Sequence, residues 1–217
     1  MSLYAEWLRI MILLLNGAFK TVQIFILTLF FSLPLGLLIA LGRMSNRKFI
    51  RELFKLYILI MRGTPLLLQL MFVYYAPSYV FGINLDRFVA AILAFALNYA
   101  AYFAEIYRGG IESISQGQYE AAAVLGMTQT QTFFRIVLPQ VIKRILPPIS
   151  NEVITLVKDT ALVQTLGVAE LFRITKNETS RIFSTIPLFV AGIYYLIMNW
   201  FVTKILHAFE KRLSYYK

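Results

Sequence analysis

The 217-residue sequence predicts an all-α integral membrane protein, and three observations carry that prediction. Hydrophobic residues make up 59% of the chain and charged residues only 15%, with a mean hydropathy of +0.69; this is too apolar for a soluble domain of the same size. Apolar runs long enough to cross a bilayer recur five times. None shows the period-two alternation of a membrane barrel, and helices are the other structure that satisfies its backbone hydrogen bonds within lipid.

A hydrocarbon core about 30 Å thick takes roughly 20 helical residues. On that measure the candidate spans are 22–41, 53–80, 88–107, 133–157 and 186–206, in one domain covering 1–217. Ahead of the first, Trp7, Leu8, Met11, Leu14 and Leu15 recur at helical spacing, predicting either a separate interfacial helix or a lengthening of the first span. The stretch from Met1 to Leu15 reads as retained: Glu6 stands where a signal peptide needs positive charge, and no small-residue cleavage site follows. Gly63, Thr64 and Pro65 predict a break in the second span, and Pro147 with Pro148 a break in the fourth. Breaks at membrane depth survive when buried in protein or facing water. The double proline beside Ser150, Asn151 and Glu152 therefore favours a polar path, whereas Pro34, alone in the first span, reads as a packing kink.

The formal net charge is +10, but the basic residues lie between apolar runs instead of forming a nucleic-acid patch. Arg43, Arg47, Lys48, Arg51 and Lys55 oppose a single acid, Glu52, in the first loop, which places that loop in the cytoplasm. Five spans then leave the N-terminus outside. The connection 108–135 and the tail carrying Lys204, Lys211, Arg212 and Lys217 fall in the cytoplasm, and loops 77–87 and 158–185 face outward. Cysteine is absent and His207 is the only histidine, so disulfides are excluded and a metal or catalytic cluster lacks partners. A membrane enzyme, a passive channel and a structural scaffold are the rival classes. The first needs converging acids, bases or metal ligands that the sequence does not offer.

The most informative segment is the connection 117–139. Gly117-Gln118-Tyr119-Glu120-Ala121-Ala122-Ala123 predicts a short helix with Glu120 in its first turn, where a carboxylate suits the helix dipole. The alanines keep one face thin enough for another protein's backbone to approach, and Gly126 supplies a C-terminal stop. Glu120-Ala121-Ala122, then Gly126, Ile136 and Leu138-Pro139, resembles the cytoplasmic coupling (EAA) motif of permease subunits in ATP-binding-cassette (ABC) importers. Arg62-Gly63-Thr64-Pro65-Leu66, Glu105-Ile106-Tyr107-Arg108-Gly109-Gly110-Ile111, Leu138-Pro139-Gln140 and Lys158-Asp159-Thr160 extend the resemblance over nearly the whole chain, to the polar amino acid branch of that family.

The resemblance implies a type I ABC importer permease fold with five transmembrane helices and a coupling helix, in the bacterial cytoplasmic membrane. It also implies two ATPase subunits below, a second permease copy, an extracytoplasmic amino-acid-binding protein, and coupling through Glu120, Ala121, Ala122 and Gly126. The sequence contains no Gly-x-x-x-x-Gly-Lys-Ser/Thr loop, so ATP and magnesium are expected on the partner ATPase and no cofactor in this chain. Homodimer and mixed pair both remain open, with two-fold pairing the commoner arrangement.

Polar residues at mid-span or toward the outside are the expected amino acid contacts: Asn98, Tyr102, Gln69, Tyr74, Thr155, Asp159 and Gln164. Asn98 and Tyr102 lie one turn apart on a single face. Interhelical bonding uses the same residue types, and that reading leads for Gln69 and Thr155 while both stand for Asn98. Glu105 with Arg62 or Arg108 reads as a structural ion pair, and Lys143 and Arg144 as headgroup contacts. Glu152 and Asp159, about two turns apart, give one face a negative character that suits a cationic amino acid, with glutamine as the competitor.

Overall fold

The computed structural model describes residues 3–213, all arranged as helices and connecting turns with no strand among them. α1 (Leu3–Arg43) is one continuous helix, so the apolar N-terminal stretch lengthens the first span and forms no separate interfacial element. Met1, Ser2 and Lys217 lie outside the described residues. The predicted second span is two helices, α2 (Lys48–Gly63) and α3 (Leu66–Phe81), bent by 111° at Thr64 and Pro65. Each has 16 residues, about 24 Å of helix, less than the hydrocarbon core. α4 (Arg87–Glu112) starts on Asp86, whose carboxylate accepts from the amides of Phe88 and Val89.

After α4 come the short α5 (Gln116–Val124) and α6 (Gln129–Thr132), the latter opened by a capping box between Thr128 and Gln131. A π-helical turn, Phe133–Val137, leads into α7 (Leu138–Asp159). α7 runs unbroken through Pro147 and Pro148, contrary to the break expected there. A 3-10 turn (Thr160–Leu166), α8 (Leu171–Ile182) and α9 (Ile186–Leu213) complete the chain. By length and composition three helices can cross a membrane, Glu6–Arg43, Arg87–Glu112 and Ile186–Arg212, and the bent pair adds a fourth if taken as one span. The span expected over 133–157 rests on α7. It has the length, at 22 residues, but Lys143, Arg144, Asn151, Glu152, Lys158 and Asp159 lower its hydropathy, and it shelters Val141, Val153, Leu156 and Val157 inside the bundle.

The core is built on α1 against α4. Thr28, Ser32, Gly36 and Ala40 recur at one-turn spacing on the buried face of α1, and of these Gly36 and Ala40 pack against Ala100, Ala101 and Ala104 of α4. Such small residues let helix backbones approach where lipid supplies no hydrophobic drive between helices. A Cβ on Gly36 would stand 2.8 Å from Cβ of Phe103 and 3.1 Å from the carbonyl oxygen of Ala100. Gly36→Val therefore forces the two helices apart, with an expected loss of about 1–3 kcal/mol, read as a lower melting temperature of the purified protein.

The two ends of the bundle are chemically sorted. Arg43, Lys55 and Arg62 gather with Glu105 at one end, and Arg108 pairs there with Glu105 and Glu112. At the other end α8 packs on the N-terminal half of α1, where Arg9 reaches Glu178 at 3.8 Å. Arg181 holds the Glu178 carboxyl below its usual range. Glu170 caps α8: its buried carboxylate accepts the amides of Phe172 and Arg173, each at 2.7 Å, and the hydroxyl of Tyr195 at 3.3 Å. Burial outweighs those bonds and pushes its pKa up from 4.5 to about 7. The folded chain then holds a proton that the unfolded chain releases, so stability falls as pH rises from 4.5 through about 7. Glu170→Gln is expected to flatten that slope in pH-dependent melting.

Candidate functional site

The break between α2 and α3 opens two helix ends, and polar groups there are met by side chains from neighbouring elements. Asn98, near the midpoint of α4, donates to the Met61 carbonyl and to Oε1 of Gln69, both at 2.9 Å. Gln69 donates in turn to the carbonyls of Met61 and Thr64 and to Oγ1 of Thr64, at 2.9, 3.2 and 2.7 Å. These amides satisfy carbonyls at the C-terminal end of α2 that the helix itself leaves without partners. α3, by contrast, begins at Pro65 without a side-chain cap, leaving its positive dipole end open.

Beside that open end lies a cavity of about 290 Å³ lined by Thr64, Leu66, Asn98, Tyr99, Tyr102, Glu152, Thr155 and Asp159. α7 contributes Glu152, Thr155 and Asp159 from one face, as helical spacing requires. The Tyr99 hydroxyl donates to Oδ2 of Asp159 at 2.7 Å, tying α4 to the end of α7. At the margin, the Arg62 guanidinium lies over the Tyr102 ring at 5.2 Å and reaches Glu105 at 3.8 Å. Arg108 grips the same Glu105 carboxylate through two hydrogen bonds, at 3.1 and 2.7 Å.

Of the residues expected to meet an amino acid, the cavity brings together Asn98, Tyr102, Thr155 and Asp159. Gln69 stands behind Asn98, occupied by the helix break. Tyr74 packs against the core with its ring 4.8 Å from that of Tyr75. Gln164 sits in the 3-10 turn, where its carbonyl accepts from Arg173. Tyr99 and Thr64 were not expected in the cavity. Tyr99 is one of three tyrosines on α4, with Tyr102 and Tyr107, and nothing in the sequence singles it out, but Thr64 follows from the Gly-Thr-Pro break itself.

The expected coupling segment falls on α5 and the turn that follows it. α5 starts four residues before Glu120, which sits in mid-helix and not in the first turn, so the dipole argument for Glu120 does not apply. Ala122 is buried, while Glu120, Ala121, Ala123 and Gly126 are exposed. The helix ends in a full Schellman motif: the Met127 amide donates to the Ala122 carbonyl and the Gly126 amide to that of Ala123, both at 3.0 Å. Gly126 has φ of +71°. Beside it Val124 and Leu125 are 89% and 76% exposed, an apolar tip on the turn. Behind the tip, Gln140 of α7 donates to Gln118 at 3.3 Å, and Arg144 donates to the Ser113 carbonyl.

Residues 32–215 match the family described as the binding-protein-dependent transport system inner membrane component. The chain belongs to that family. This permease is 39% identical over 207 residues to the L-cystine transport system permease protein TcyB of Bacillus subtilis (strain 168), covering 94% of this chain and 88% of that one. It is 36% identical over 202 residues to the arginine transport system permease protein ArtQ of the same organism, covering 93% and 92%. A putative glutamine transport system permease protein, GlnP of Rickettsia felis (strain ATCC VR-1525 / URRWXCal2), is 34% identical over 203 residues and 92% of each chain. Among solved structures, the "Crystal structure of an amino acid ABC transporter with histidines" superposes with a TM-score of 0.89 at 36% identity, over 98% of this chain and all of that one. The permease thus has the type I ABC importer fold, is a multi-pass inner-membrane protein, and is of a family that transports and is not itself enzymatic.

Proposed function

We propose that this permease carries polar, cationic amino acids into the cytoplasm as the membrane subunit of an ATP-driven importer. The observation that supports this most is the cavity, with the open end of α3 on one side and Glu152 and Asp159 on another. A helix N-terminus suits a carboxylate, and the two acids suit an ammonium or guanidinium side chain. Asn98 and Tyr102 complete the polar lining. Arginine appears in the name of one relative, cystine and glutamine in those of others.

Two copies of the permease form the pore as a homodimer, two ATPase subunits bind ATP and magnesium beneath it, and an extracytoplasmic binding protein delivers the amino acid. The N-terminus lies outside and the C-terminus in the cytoplasm. α5 sits in a cleft of each ATPase through Val124 and Leu125. ATP-driven closure of the ATPases draws the two α5 helices together and tilts the spans toward the outward-open state; hydrolysis returns them.

A second reading, a neutral amino acid such as glutamine, is favoured by Arg62, whose position over Tyr102 partly offsets the two acids. The test is uptake by the importer reconstituted in liposomes, with arginine, lysine, histidine, glutamine and cystine offered in turn, with and without internal ATP. Saturable, ATP-dependent uptake of the cationic set supports the first reading. Preference for glutamine selects the second, and ATP-independent flux defeats both.

A further inference from the structure

One concentration of cations lies apart from the translocation cavity. Arg43 at the end of α1, Lys55 and Arg62 of α2, and Glu105 of α4 line a separate cavity of about 310 Å³, walled on its apolar side by Ile58 and Leu59. Glu105 is the lone acid of that lining, and both its oxygens already accept from Arg108. Lys55 has Glu52 at 3.6 Å, Arg62 reaches Glu105 only at 3.8 Å, and Arg43 makes no hydrogen bond or ion pair among the described residues. The cavity therefore carries uncompensated positive charge at its walls.

The wall next to these cations is greasy and open. Leu56, Leu59 and Ile60 on α2 are all exposed. Cations and exposed aliphatic side chains on one helix are what an amphiphile with a negative head requires. A soluble anion would use the first and leave the second idle.

We propose that this cavity binds the phosphate headgroup of an anionic lipid, held by Arg43 and Arg62 with Lys55 at the rim and an acyl chain lying along Leu59. Arg62 links the site to transport, because its guanidinium also covers Tyr102 in the translocation cavity. A phosphate that engages Arg62 competes with Glu105 and Tyr102 for it. The inference rests on the chain being embedded in lipid and is independent of which amino acid is carried.

The test is native mass spectrometry of the complete importer, delipidated and then offered phosphatidylglycerol or phosphatidylcholine with matched chains. Wild type is expected to retain phosphatidylglycerol about tenfold or more over phosphatidylcholine. Arg43→Gln with Lys55→Gln should bring that ratio close to one, and Arg43→Lys should preserve it. An unchanged ratio in the double variant overturns the site. Displacement of the lipid by millimolar inorganic phosphate overturns the lipid assignment in favour of a soluble anion. Hydrogen exchange on wild type gives a readout that needs no variant: amides of α2 should slow with phosphatidylglycerol and not with phosphatidylcholine, and equal protection by both overturns the proposal.

Discussion

A permease carrying Gly126→Val is expected to insert and assemble its membrane domain but to lose at least about tenfold in uptake together with its ability to stimulate the ATPase. No neighbouring atom lies within 4 Å of the added Cβ, so the effect comes from the backbone alone. At φ of +71° a side chain costs about 1–2 kcal/mol, more when β-branched, and about 1.4 kcal/mol is tenfold in an equilibrium. The Schellman bonds loosen first, and Val124 and Leu125 lose their fixed orientation. Glu120→Lys probes the same surface by charge. Glu120 is exposed and makes no hydrogen bond or ion pair among the described residues, so reversal should leave melting unchanged while abolishing productive docking. ATPase stimulation and uptake, measured beside size-exclusion profiles, separate these outcomes; normal uptake in both variants removes α5 from the coupling role.

Asp159→Asn is expected to lower arginine uptake about tenfold or more while sparing glutamine, and Glu152→Gln to act in the same direction. The asparagine can still accept from Tyr99, which now holds Asp159 at 2.7 Å, so the α4 to α7 contact survives and only charge is removed. Two unit charges 4 Å apart interact by about 4 kcal/mol at an effective dielectric near 20. Competition between labelled arginine and glutamine in the same vesicles reads the selectivity directly. An unchanged ratio in both variants assigns the acids to helix packing and leaves the cationic reading without support.

Much of the bundle was legible because lipid imposes simple demands on sequence. Long apolar runs marked α1, α4 and α9, whereas α8 lies wholly inside the stretch expected as the outward loop 158–185, and Gly63-Thr64-Pro65 marked the sharp bend found among the described residues. Pro147 and Pro148 misled because proline disfavours a helical turn without forbidding it; α7 is helical from Leu138 to Asp159. The π turn at Phe133–Val137 has no recognisable residue signature, and none was expected. Asn98 and Asp159 were visible as polar residues in apolar surroundings. Their partners were not, because the Met61 carbonyl and the Tyr99 hydroxyl come into reach only once distant segments are folded together. The stripe of Thr28, Ser32, Gly36 and Ala40 could have been found as small residues repeating every turn.

α1 has 41 residues, a rod about 60 Å long, and even at the steep end of ordinary tilts, about 40°, it projects about 46 Å along the membrane normal. That exceeds a whole bilayer with its headgroups, about 40–45 Å. The rod therefore cannot be hidden in lipid. One tip, beside Glu178, and the other, at Arg43, reach opposite aqueous boundaries, so this helix, continuous through Pro34 and seated on Phe103 at Gly36, is wetted at both ends.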